Sequence, residues 1–281
     1  MLINPFQPEW QTDLHRFHAT LPQGAGLILL IDSAFMPGIS EQLNSERQPI
    51  LLFELLPGCS SKGRNVSPCV LEFDPCNKSL VRLLARCSGW PMLSVLATYE
   101  SVAQLAKRLA ACCIIEVDGQ NFNFRYPDTR RLPAIFETLT QQQRDELIGN
   151  AIGWHYISRD GSWCSLPLKP NSISLSVGNK IALDEHQFAH LLKDSEPDEM
   201  WVQLLDQGAQ THLLPSQRHA LLSDALYVAD KYRLDYMLKV AWCLHCIQRP
   251  YQSDTDALRI RLIKWVREKT GSENETLCDS A

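Results

Sequence analysis

The sequence predicts an α/β fold: an N-terminal lobe with a mixed β-sheet flanked by helices, then a smaller all-helical lobe. Three observations predict it. Short continuous apolar runs such as "GLILLIDSA" (26–34) and "PMLSVLAT" (91–98) have the look of strands buried on both faces. Segments with helical spacing alternate with them up to about residue 168. Beyond residue 181 only helical periodicity remains.

The elements follow in order. "PILLFEL" (49–55) and "SPCVLEF" (67–73) read as further strands around the first, and "LVRLLARC" (80–87) as a helix. In "SVAQLAKRLAAC" (101–112), Val102, Leu105, Ala106 and Leu109 share one helical face. Asp118 and Gly119 separate two β-prone runs, which is a strong hairpin signal. After the turn Phe122, Phe124 and Tyr126 alternate with Asn123 and Arg125, so the two sets face opposite ways. Thr140 and Gln143 stand at capping-box spacing ahead of a helix that closes at Gly149. "GWHYISRDGSWCSLPL" reads as two short strands about Asp160 and Gly161.

Domain boundaries follow from texture. Residues 1–168 form the α/β lobe, and 169–180, "KPNSISLSVGNK", form a polar linker. Residues 181–270 form the helical lobe, with helices over 183–193, 216–234, 235–248 and 253–269; 271–281 is a frayed tail.

Composition narrows the function. Of 281 residues, 45% are hydrophobic and 21% charged, values of an ordinary soluble protein. The net charge of −5 argues against nucleic acid or an anionic membrane as partner. No basic segment followed by an apolar one opens the chain, and the run "LILLI" (27–31) is too short for a bilayer. The ten cysteines lie mostly in apolar runs and include the neighbours Cys112 and Cys113, so free thiols in a reducing cytoplasm are expected.

Chemical motifs are few. Gly24 and Gly26 precede a strand instead of following one, which fits a turn and not a dinucleotide loop. No phosphate-binding G-x-x-x-x-G-K-[ST] loop and no G-x-S-x-G elbow is present. Cys243 and Cys246, with His245 between, form C-x-x-C on a predicted helix; two small side chains on a packing face explain them, since a zinc site needs further ligands. His186 and His190 share a helical face, but Gln187 stands where a zinc protease carries Glu. The expectation is no catalytic residue, no metal and no cofactor. The alternative is a metal- or thiol-dependent enzyme using the Cys243-x-x-Cys246 segment.

The ordered pieces of the first lobe carry a resemblance. An early strand ends in Asp32 with Ala34 after it, and Gly89-Trp90 precede a strand and a helix. The Asp118-Gly119 hairpin leads into Phe124-Arg125-Tyr126 and a corner of Asp128, Arg131 and Leu132. Gly149, Ile152 and Trp154 close the series. Over about 25–156 the chain resembles the bacterial type VI secretion effector chaperones, or adaptors. It departs from that family's F-R-Y-Y-D-P-R pattern, because Pro127 comes before Asp128 and Thr129 follows it. The resemblance implies a non-enzymatic cytoplasmic protein that binds a toxin effector as cargo and helps load it onto the VgrG spike.

Partner-binding candidates come from two places. Arg125, Asp128, Arg130 and Arg131 form the corner; Arg125 and Asp128 are expected to brace it, and the other arginines offer donors suited to an interface. Tyr227, Tyr232, Tyr236 and Trp265 stand among large apolar side chains of the helical lobe, which cover either cargo or the first lobe.

Overall fold

A computed structural model describes residues 1–44, 48–168, 180–249 and 255–270. The chain divides into two compact units, Met1–Lys193 and Asp194–Ala281.

The first unit is built on a six-stranded sheet. Its strands are β1 (Gly26–Ile31), β2 (Ile50–Leu51), β3 (Cys69–Glu72), β4 (Leu93–Thr98), β7 (Ala151–Ile157) and β8 (Trp163–Ser165), in the order β2-β3-β1-β4-β7-β8. A second sheet, ordered β6-β5-β9, joins β5 (Ile114–Val117), β6 (Gln120–Asn123) and β9 (Ile181–Ala182). The sequence leads to a mixed sheet. The large sheet is antiparallel at every pairing, and the one parallel pair among the described strands is β5 with β9. Continuous apolar strands arise here because both faces of an antiparallel sheet are covered.

Residue parity divides that cover. Ile28 and Leu30 of β1, Val70 of β3, Leu96 of β4 and Trp154 of β7 enter one core, with α5 (Val102–Ala111), α6 (Leu132–Thr138), α7 (Gln141–Ile148) and the small sheet. Leu27, Leu29, Ile31, Leu71 and Val95 enter the other, with α1 (Trp10–Ala19), α2 (Ile39–Asn44) and α4 (Lys78–Ala85). A short α3 (Ser61–Asn65) completes the helices of this part. In the expected strand "PILLFEL" only Ile50 and Leu51 are extended; Leu52–Leu55 coil into a 3-10 turn.

Local chemistry explains the joints. Asp118 and Gly119 both take positive φ, 47° and 73°, as the tight hairpin between β5 and β6 requires. Thr140 caps α7: Gln143 N donates to its hydroxyl at 3.3 Å, and Thr140 N donates back to Gln143 Oε1 at 2.8 Å. Gly161 in the β7–β8 turn lies against the Pro5 carbonyl, where a Cβ would stand 2.0 Å from the oxygen. The N-terminal segment is held there by Asn4 N to Arg159 O and Gln7 N to Gly161 O, each 2.9 Å.

The helical texture begins with α8 (Glu185–Asp206), which continues past the expected end at Lys193 through Pro197, and the two units divide inside it. Pro197 is buried along with Met200, Trp201 and Leu204, and that burial carries the helix through a residue that otherwise breaks one. Residues 181–193 pack with the first unit: β9 pairs with β5, and the Phe188 ring lies 4.9 Å from Phe122. The expected linker, except Lys180, and the expected tail lie outside the described residues.

The second unit adds α9 (Pro215–Lys231), α10 (Tyr236–Gln248) and α11 (Thr255–Thr270). Trp242 on α10 donates from Nε1 to Ala225 O on α9 at 3.1 Å. The Arg218 guanidinium of α9 lies 4.3 Å over the Trp201 ring of α8. Leu222, Leu226, Trp242, Leu258 and Trp265 fill the core between these helices.

Candidate functional site

The corner after β6 docks on the end of β1. Phe124 and Tyr126 are buried and Arg125 between them is partly exposed, as the alternation predicts. Tyr126 is tied down by its hydroxyl, which donates to Leu109 O at 2.8 Å and lies 3.6 Å from Cys113 Sγ. Asp32, just past β1, receives Ala34 N on Oδ1 at 3.1 Å and starts the 3-10 turn Ser33–Phe35. Its own amide bonds Met92 O at 2.9 Å.

Two arginines and two aspartates meet there around Phe35. Arg125 Nη2 donates to Asp32 Oδ2 at 3.0 Å, whereas Asp128 Oδ2 is 3.9 Å away. The brace expected between Arg125 and Asp128 is therefore made chiefly with Asp32. Asp128 instead takes a forked pair from Arg130, Nε to Oδ1 at 3.1 Å and Nη2 to Oδ2 at 2.8 Å. The guanidinium carbons of Arg125 and Arg130 lie 5.4 and 5.5 Å from the centre of the Phe35 ring. Thr129 N closes the corner onto Pro91 O at 3.0 Å.

Burial sets the electrostatics. Asp32 is 2% exposed, and loss of water raises its carboxyl from 3.8 to about 6 against the opposing pull of Arg125. Arg125 keeps 42% of its side chain exposed and Arg130 only 10%.

The eight sequence candidates fall out unequally. Asp128 is buried at 3% and takes Arg130 on both oxygens, which fixes its carboxylate in the corner. Arg131 is half-buried, and its amide bonds Asp128 O at 2.9 Å. Trp265, expected to cover either cargo or the first lobe, is 4% exposed and packs 5.6 Å from Trp242 in the helical core. Tyr232 is half-buried, and Arg259 Nε donates to its hydroxyl at 2.6 Å. Tyr227 and Tyr236 are 59% and 56% exposed. Tyr227 and Tyr236 thus present the most surface of the eight, and Arg125 keeps part of its side chain in solvent. The corner belongs to the first unit and the tyrosines to the second.

The C-x-x-C segment lies in the helical core. Cys243 and Cys246 are fully buried, and burial pushes the Cys246 thiol up to about 12 and that of Cys243 up further. The His245 ring lies 5.9 Å from Trp242 and 6.0 Å from Trp265, where burial and then Arg261 lower its pKa. Among the described residues no three His, Cys, Asp or Glu side chains group as a metal site. Of the expected histidine pair, His190 shares a hydrogen bond of 2.8 Å with the Thr138 hydroxyl, and His186 is exposed. No helix among the described residues is long and apolar enough to cross a membrane.

Sequence reasoning passed over Asp32 and Phe35 as parts of this site, although an acid ending a run as apolar as "GLILLI" is a signal for a buried partner. It also passed over Arg108, which is 5% exposed and reaches Glu100 Oε1 from Nε at 3.0 Å and the Leu147 carbonyl from Nη1.

Residues 27–146, less than half of the chain, match the family model described as "Domain of unknown function (DUF4123)". The matched stretch runs from β1 to α7 and so contains the whole corner with its Asp32 and Phe35 partners. No curated protein and no solved structure matches the chain.

Proposed function

We propose that the chain is a non-enzymatic adaptor that binds a type VI secretion toxin effector in the cytoplasm and helps load it onto the VgrG spike. One observation carries this reading. The match to the domain of unknown function over 27–146 falls on the same stretch, 25–156, whose ordered motifs resemble the effector chaperones.

The chemistry of the corner supports it. Asp32, Arg125, Asp128 and Arg130 are engaged with one another, which rigidifies a surface instead of preparing a nucleophile or a base. The buried thiols Cys69, Cys87, Cys112 and Cys113 are pushed up to about 12, so they stay protonated at neutral pH. The exposed side of Arg125 and the Tyr227 and Tyr236 rings are the surfaces offered to partners, residue types favoured at interface hot spots.

Deleting the gene from its source bacterium tests the proposal. Delivery of the toxin that the purified chain binds should stop, while a toxin that it does not bind is still secreted. Undiminished delivery of every toxin would end the adaptor reading.

A further inference from the structure

Arg261 on α11 is a half-buried cation with no carboxylate paired to it among the described residues. Its Nε donates to His245 Nε2 at 3.4 Å and its Nη2 to the His245 carbonyl at 3.3 Å. Both acceptors are neutral, since an imidazole nitrogen that accepts belongs to the uncharged ring. Nη1 is buried and meets no acceptor among the described residues. The Arg249 amide bonds the same His245 carbonyl at 3.2 Å, so Arg249 stands with Arg261 at the C-terminal end of α10. The Trp265 ring of α11 lies 6.0 Å from the His245 ring, and Glu268 and Lys269 follow one turn later. Arg249, Glu268 and Lys269 are exposed.

The carbonyl end of a helix attracts cations, which accounts for the presence of Arg249 and Arg261 there. It makes no use of Nη1, and a buried donor of a charged group left unmet is costly. The charges that bear on His245 are Arg261, Arg249 and Lys269 against Glu268 alone, so two positive charges stay in excess. A phosphate group carries about −1.5 to −2 charges at neutral pH and several acceptor oxygens, which matches both that excess and the unmet donor. We propose that Arg261, Arg249 and Lys269 form a binding site for a phosphate group at the end of α10. One phosphate oxygen takes the Nη1 of Arg261, and the two exposed cations close on the others. His245 remains neutral beside the site and holds Arg261 through Nε2. This inference concerns the second unit by itself and does not rest on the adaptor reading.

Calorimetric titration of the full chain with inorganic phosphate tests it, with chloride holding the ionic strength constant. Saturable binding of one phosphate per chain is expected. Arg261→Gln should weaken it by at least about tenfold, the measure of a hydrogen bond to a charged group. Arg249→Gln and Lys269→Gln alter exposed side chains and so spare the fold; each should weaken binding by about two- to fivefold. The NMR titration of His245 supplies a second readout. Bound phosphate offsets the cations that lower the pKa of this ring, so its midpoint should rise. Free phosphoserine is the second ligand: tighter binding than inorganic phosphate supports the site with a phosphorylated side chain as its ligand, and weaker binding supports it with a free phosphate. No saturable binding of either ligand would overturn the proposal. So would binding undiminished in both Arg249→Gln and Lys269→Gln, or a His245 midpoint that phosphate leaves unmoved.

Discussion

Arg125 reaches back across 93 residues to place its Nη2 at 3.0 Å from Asp32 Oδ2. That bond ties the segment after the β5–β6 hairpin to the end of the central strand of the large sheet. Asp32 is the buried member and Arg125 the half-exposed one. Breaking the pair therefore costs mainly through the carboxylate left behind.

Arg125→Ala is expected to destabilise the chain by about 1–3 kcal/mol, the usual cost of stranding a buried charged partner. The exposure of the arginine places the effect toward the lower end, since water screens its side of the pair. Asp32→Asn combined with Arg125→Ala should recover part of that loss. Urea midpoints of the wild type, of Arg125→Ala and Asp32→Asn alone, and of the two combined measure it. An unchanged midpoint in Arg125→Ala, with toxin binding abolished, would instead make Arg125 a contact residue.

The same pair predicts a pH dependence. Asp32 titrates near 3.8 when unfolded and about 6 when folded, so the folded state holds its proton more tightly. Its favourable contribution is complete below about 4 and is lost as pH rises to about 6. His155 and His245 are lowered, so they act in the opposite sense and stabilise less as pH falls below the unfolded value of 6.5. Comparison with Asp32→Asn isolates the carboxyl: the wild type should gain stability relative to this variant between pH 7 and pH 4. A difference that stays constant over that range would contradict the burial account of Asp32.

Gly149 ends α7 at φ 54° and ψ −126°, and a Cβ there would come within 2.3 Å of Arg108 Nε. Gly149→Ala should thus cost more than about 1 kcal/mol, through backbone strain and displacement of a buried ion pair together. Gly119→Ala is the control, because its φ is 73° and its Cβ would meet nothing within 4 Å. Equal losses of melting temperature in the two variants would leave no role for Arg108.

The cysteines should separate by burial. Cys59 and Cys76 are exposed and should react with a thiol reagent in the native protein; Cys243 and Cys246 should react only on unfolding. The purified chain is expected to hold no stoichiometric zinc. One zinc per chain, lost in Cys243→Ser, would revive the metal-dependent alternative.

What could be read in the sequence was local. The apolar runs of β1 and β4, the Asp118-Gly119 turn and the Thr140/Gln143 cap all depend on neighbours within a few residues. The partner of Arg125 depends on which strands lie side by side, and no spacing rule reaches from residue 32 to 125. Asp128 was the nearer acid in sequence and the farther in space. Strand direction was hidden for a related reason: a strand covered on both faces looks alike in parallel and antiparallel sheets. The passage of α8 through Pro197 was hidden because the burial of neighbouring Trp201 overrides local propensity. Trp265 drew attention as a large apolar side chain, and only the packing against Trp242 shows where its surface goes.

The adaptor proposal is tested most directly by measuring binding of the purified full chain to the type VI toxins and to the VgrG spike proteins of its source bacterium, each alone and then together. The account predicts a stable complex with the toxin, capture of that complex by the spike, and weaker toxin binding in a variant with Tyr227→Ala and Tyr236→Ala. A folded chain that binds neither protein would contradict it.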